Sequence, residues 1–260
     1  MANILNRYGI KEVADVTFYE IVEQNGVAER GAPVLFLDTL KVSTIEQTGE
    51  QAEARGGKGN PPLLIWDYGK EINVTLEDAL FSAKSMAIMF GDGNVDNTGT
   101  KIVKTWAGNY TAAITGTLEY GNKVLDASKL TFKYYDEKGA EITTPSTDKP
   151  ASFATAEIAT KELGVIEISA NSFPGTYYIT GDTYARSELT GKDEFFQFII
   201  QKAKVQSENT ITLEAEGDPS VFNMSLRVMR PADGKMMKLV KYDVADTIIK
   251  TETGTTASED

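Results

Sequence analysis

The stretch Glu71-Ile72-Asn73-Val74-Thr75-Leu76-Glu77 alternates without a break: Ile72, Val74 and Leu76 are apolar, and the residues around them are polar. Successive side chains of a strand point to opposite faces, so this period of two reads as a half-buried strand with one polar face. The pattern returns in Thr210-Ile211-Thr212-Leu213-Glu214-Ala215-Glu216. It returns again from Val221 to Met229, where Phe222, Met224, Leu226 and Val228 share a side. Further strands are expected over 33–46, 103–119, 130–135, 164–169, 176–181 and 194–205, separated by Gly, Pro and Asn turns. Within 194–205, Phe195 and Phe196 contradict a clean alternation.

One segment keeps another period. In Ser82-Ala-Lys-Ser-Met-Ala-Ile-Met-Phe-Gly91, Ala83, Met86, Ala87 and Phe90 fall at i, i+3, i+4 and i+7. Ser82 suits an N-cap and Gly91 a C-terminal stop, which predicts a short amphipathic helix over 82–90. The expected fold is therefore mainly β, a β-sandwich with one flanking short α-helix. A single domain over 1–260 is expected, with 92–165 as elaboration and 244–260 as a C-terminal arm. Gly91–Thr100 and Thr143–Ser152 read as exposed loops. The polar ending TETGTTASED cannot fold alone on its composition, and a neighbouring subunit is its expected support.

Composition narrows the chemistry. The 260 residues hold no histidine and no cysteine. That removes disulfides, thiolate nucleophiles, Ser-His-Asp triads and zinc sites of the ordinary type. The net charge of −12 argues against general nucleic-acid binding, which needs a basic footprint. No run of eighteen apolar residues suits a membrane span, and the opening MANILNRYGIKEVADVTFYE lacks the apolar core of a signal peptide. A protein made in a cytoplasm is expected.

The stretch EARGGKGNPPLLIWDYGKE, residues 53–71, sets glycines beside Arg55 and Lys58 and invites a phosphate reading. It fails that test. A P-loop requires Gly five residues before Gly57 and Ser or Thr after Lys58; Ala52 and Gly59 stand there. It reads instead as a long connection between strands 33–46 and 62–78. Either it is a plain surface loop, or its glycines allow close approach while Arg55 and Lys58 reach an acidic partner. DGNVDNTGT, from Asp92, opens like a calcium loop but has Asn97 for the required Gly and Val103 for the closing Glu. Trp66-Asp67-Tyr68 suits a sugar platform or an interface anchor, and the interface is favoured. Glu77 and Asp78, adjacent on a strand, point to opposite faces and cannot share one substrate.

Several of these features coincide in one known pattern. A strand near 34–46, the loop EQAEARGGKGNPP, the strand LLIWDYGKEINVTLED and the helix ALFSAKSMAIMFG follow one another in order. YYITGDTYARSELTGKDEFFQFIIQKAKVQSENTITLEAEGDPSVFNMSLRVM then supplies a strand pair and a Gly-Asp-Pro-Ser turn. Together these resemble the major tail (tail tube) proteins of tailed bacteriophages over roughly half the chain. The resemblance implies a structural virion protein of the tail, without enzyme activity, metal or cofactor. Homohexameric rings would stack into a tube that passes DNA. Each subunit would lend strands to an intersubunit β-barrel, and loops and arms would grip the next ring. A tape measure protein, a tail terminator and baseplate proteins are the implied partners, with no membrane.

Within that frame, Arg55, Lys58, Asn60, Trp66, Asp67 and Tyr68 are the expected subunit contacts. Asn73, Thr75, Glu77, Thr212, Glu214 and Glu216 are expected to face the lumen, joined by Thr39, Lys41 and Ser43. A carbohydrate-binding or adhesion β-sandwich is the alternative. A carboxylate-dependent hydrolase is a third reading, for which no convergent acid pair stands in the sequence.

Overall fold

A computed structural model of the chain describes residues 7–24, 27–96, 101–161, 164–209, 211 and 221–243. The expected strand 210–216 and the arm 244–260 lie outside these, apart from Ile211. The chain divides into two compact units, 1–94 with 166–260, and 95–165.

The first unit contains β1 (Tyr8–Ile10), β2 (Asp15–Gln24), β3 (Val27–Leu37), β4 (Leu40–Arg55), β5 (Pro62–Asp78) and α1 (Ala83–Phe90). In the second unit lie β6 (Lys101–Tyr110), β7 (Thr117–Tyr120), β8 (Lys123–Asp126), β9 (Phe132–Tyr135), β10 (Glu141–Ile142) and β11 (Ala151–Ala159). The chain then returns to the first unit with β12 (Thr176–Ser187), β13 (Asp193–Val205), β14 (Phe222–Val228) and β15 (Lys238–Tyr242).

In the first unit the order is β3-β2-β12-β13-β14-β5-β4, with β1 added to β12 and β15 to β13. The sheet path ends at β3 and β4, so the monomer is not a closed barrel. Alternation explains the core. Val16 and Phe18 of β2, Ile72, Val74 and Leu76 of β5, and Met224, Leu226 and Val228 of β14 are all buried in one cluster. Ile179 of β12 and Phe198 and Ile200 of β13 join them. The mainly β, sandwich-type fold with one flanking helix holds.

The helix begins where its cap predicts. Ser85 N–H donates to Ser82 Oγ at 3.0 Å while Ser82 N–H donates to Ser85 Oγ at 2.9 Å. Its buried side is Ser85, Ala87, Ile88 and Met89, and Ala83 is exposed. The expected stripe on Ala83 and Met86 is thus rotated, because the larger Ile88 and Met89 fill the core. At the other end, Gly91 N–H donates to Ala87 O at 2.9 Å, and Asn209 Nδ2 donates to Met89 O at 2.5 Å.

Three expectations of strand placement fail, the first being 103–119, which is split into β6 and β7 with 111–116 outside any strand. The single strand 33–46 is two strands broken at Asp38-Thr39. Residues 164–169 hold only an isolated bridge, Asp96 to Val165, and no ladder among the described residues. In the second unit a four-stranded sheet runs β10-β9-β11-β6 and a hairpin pairs β7 with β8. Its core is small, with Tyr134, Ala151 and Ala154 packed against Tyr110, Ile114, Phe132 and Ile142.

Candidate functional site

The β4–β5 hairpin changes character half-way along. Near its base Thr75 faces Thr44, Val74 faces Ile45 and Asn73 faces Glu46. There Ile72, Val74 and Leu76 sit in the core. Beyond Thr48↔Glu71 the ladder continues to Arg55↔Pro62, and every residue from Pro61 to Lys70 is exposed. On the opposite strand, 46–55 are exposed except Ala54. The connection expected to be long is therefore a projecting β-ribbon with a turn of only 56–61. Glu46-Gln-Thr-Gly-Glu-Gln-Ala-Glu-Ala-Arg55 shows no strand periodicity; its hydrogen-bonded partner β5 makes it a strand.

The ribbon, or arm, has a defined geometry. Between Thr48↔Glu71 and Glu50↔Tyr68, β4 has Gly49 where β5 has Gly69 and Lys70. This bulge is built on Gly69, whose φ of +62° is left-handed. At the tip, Gly57, Gly59 and Asn60 all take positive φ. Asn60, at +50°, is the one non-glycine residue to do so among the described residues, a conformation Asn tolerates well. From Thr48 to Arg55 the arm reaches roughly 25 Å at strand rise.

Its side chains are mixed. Leu63, Leu64, Ile65, Trp66 and Tyr68 are each more than half exposed, with Leu63 at 62% and Trp66 at 54%. Asp67 accepts from Gln51 Nε2 at 2.8 Å. Arg55 Nε donates to Glu53 Oε2 at 2.7 Å, so in the monomer its guanidinium is held by its own strand. Lys58 stands exposed in the turn. The structure thus brings Arg55, Lys58, Asn60, Trp66, Asp67 and Tyr68 onto one element. Leu63, Leu64 and Ile65 belong with them; their signal was an apolar run beside an acidic strand.

An isolated two-stranded ribbon is marginal in water. Burying one large apolar side chain contributes about 1.5–3 kcal/mol. The arm exposes five such side chains: Leu63, Leu64, Ile65, Trp66 and Tyr68.

The second group of expected site residues lies at the arm's base. Asn73, Thr75 and Glu77 are half-buried on the face of β5 away from the core. They stand between Glu46, Thr44 and Val42 of β4 and Arg227, Ser225 and Asn223 of β14. Arg227 pairs with Glu71, which places a cation on that face. The expected contribution of β4 is corrected. A bulge between Leu40 and Val42 shifts the register, so Ser43 stands opposite core-facing Leu76 and Thr44 opposite Thr75. Thr212, Glu214 and Glu216 lie outside the described residues.

Among the described residues no group of three or more Asp or Glu is placed to hold a metal ion. No described helix is long and apolar enough to cross a membrane.

Residues 8–241 match the YomU/Tube protein family. The chain belongs to that family. Like this YomU/Tube chain, a curated relative, "Tail tube protein" of Bacillus phage SPR, runs almost the full matched length: the two are 24% identical over 276 residues, covering 96% of each. The YomU/Tube match takes in both units, the arm and the polar face of β5.

Proposed function

We propose that the chain is the structural subunit of a phage tail tube. Hexameric rings stack into a hollow conduit for DNA ejection, and the role is structural, not enzymatic. The observation that carries this reading is the β4–β5 arm, an exposed apolar ribbon on a chain of the YomU/Tube family. The likeness to the tail tube protein of phage SPR supports it. Arg55, Lys58, Asn60, Trp66, Asp67 and Tyr68 make the contacts between subunits.

The base of the hairpin lends β5, β4 and β14 to an inner barrel shared between subunits. Among the described residues no strand pairs with the outer edge of β4, and closing a barrel removes such edges. Asn73, Thr75 and Glu77 face the lumen, with Thr212, Glu214 and Glu216 from the segment 210–216. Residues 95–165 elaborate the tube domain, and 244–260 form a terminal arm. A tape measure protein, a tail terminator and baseplate proteins are the partners, and the tail of the virion is the location.

Ring closure is cyclic, whereas ring-on-ring contact is heterologous and open, so it propagates. Negative-stain microscopy and light scattering of the concentrated protein test the reading. Hollow tubes of stacked rings are expected. A chain that stays monomeric even with tail-initiation components present would refute it.

A further inference from the structure

A heterologous stack joins opposite ends of its subunit, and the two ends of the β4–β5 hairpin differ in a complementary way. The turn 56–61 lies at one end, and the pair Leu40↔Asp78 at the other. Just past Asp78 stand Leu80 and Phe81, 63% and 60% exposed. Phe81 packs on Phe222, the first residue of β14, with ring centroids 4.6 Å apart. This apolar knuckle is rigidly placed: Asp78 accepts from Leu80 N–H at 3.2 Å and from Thr39 Oγ1 at 2.5 Å. Asp38, next to Thr39, is exposed at the same end.

We infer that the knuckle of one copy (Leu80, Phe81 and Phe222, with Asp38 beside it) is the socket for the arm tip of the next copy. The tip brings Leu63 and Leu64 to the knuckle and Lys58 to Asp38. The inference rests on the tube reading and names the partner surface of the arm. Two observations support this occupant. Each surface carries apolar side chains more than half exposed, Leu63 and Leu64 on the tip and Leu80 and Phe81 on the knuckle, and the exposed Lys58 of the tip is opposite in sign to the exposed Asp38 beside the knuckle. The surfaces are also unlike each other, so filling one socket leaves another open at the growing end. A contact between two identical patches would stop at a dimer.

The absence of cysteine from the chain makes the test clean. Leu64→Cys and Phe81→Cys proteins are mixed at high concentration, oxidised gently and separated without reductant. A disulfide forms only where Cα atoms come within about 4.4–6.8 Å, so the readout is specific to contact. The mixture is expected to give a covalent dimer holding one copy of each, and the double variant a ladder of multimers. Leu64→Cys with Val103→Cys, exposed in the other unit, sets the collision background. Tubes that form while Leu64→Cys and Phe81→Cys cross-link no better than that control would overturn the socket and leave the tube reading standing. A wild-type chain that never assembles under any condition counts against the tube reading itself. Charge exchange gives an independent check. Lys58→Asp and Asp38→Lys should each suppress elongation, and the two together should restore it; a combination no better than the single changes would also overturn the socket.

Discussion

Gly181 lies directly opposite Phe198 across the β12–β13 pair, and a methyl carbon added at Gly181 would collide with the Phe198 ring. The ring is buried in the core, closed over bare backbone. Gly181→Ala is therefore expected to force the ring off its rotamer or part the strands, at about 1–3 kcal/mol, as overpacking does. Thermal denaturation reads the loss, and Phe198→Leu in the same chain should recover part of it. An unchanged Tm in Gly181→Ala would show that the ring is free to move aside.

Asp78 holds the corner from which the knuckle projects. It is buried, and it accepts from a side chain on the β3–β4 connection and from the backbone just beyond β5. Asp78→Ala leaves Leu80 N–H and the Thr39 hydroxyl without that acceptor, a loss of about 1–3 kcal/mol. Thr39→Val should cost less, because the backbone contact survives. Urea midpoints measured side by side check the order.

The arm should show the opposite behaviour, indifferent to folding and essential to assembly. Trp66 and Tyr68 touch no core, so replacing both with Ala should change monomer stability by no more than about 0.5 kcal/mol. Arg55→Ala with Lys58→Ala should be equally mild, since exposed ion pairs such as Arg55–Glu53 contribute little. Both double variants are expected to stay out of tubes on sedimentation. Normal assembly by either would remove its residues from the contact.

The base of the arm and the whole length of β5 were legible in the sequence, and the outer half of β4 was not, for a physical reason. Around Val74 one face meets a core, and burial writes itself as alternation. On the arm's outer half, among the described residues, neither face is buried, so β4 could become acidic and β5 apolar with no periodic signature. β11, Ala-Ser-Phe-Ala-Thr-Ala-Glu-Ile-Ala, escaped notice because small residues fill its buried side, where Ala154 and Ala156 pack. The stretch 164–169 shows the converse, alternation that forms no ladder among the described residues. The strand 194–205 was read correctly as β13, but Phe195 and Phe196 obscured which of its sides faces the core, because both sides carry aromatics. Phe196 is buried against Tyr8, and Phe195 lies in an outer row between Tyr184 and Tyr242. The residues that the arm gathers stood out in the sequence through their turn chemistry and their aromatic pair. The knuckle was missed because Leu80 and Phe81 stand next to a helix start and read as part of it.

The face carrying Glu77 makes the last prediction. Its neighbours across the strands are Val42 and Asn223, so the carboxylate has no cation directly opposite it. Further along, Arg227 is paired with Glu71, which neutralises that part of the face. Under the tube reading the wall is then mildly acidic, with hydroxyl and amide groups between the charges. Duplex DNA carries about one negative charge per 1.7 Å, and a basic wall would hold it by counterion release. An acidic wall repels it within a screening length of about 8 Å at physiological salt, so DNA slides without adhering. Changing Glu77, Glu214 and Glu216 to Lys should still permit tubes. Those tubes should retain DNA and slow its delivery, and added salt should relieve the retention as screening shortens. Intact variant tubes with unchanged ejection kinetics at low salt would show that this face does not line the channel.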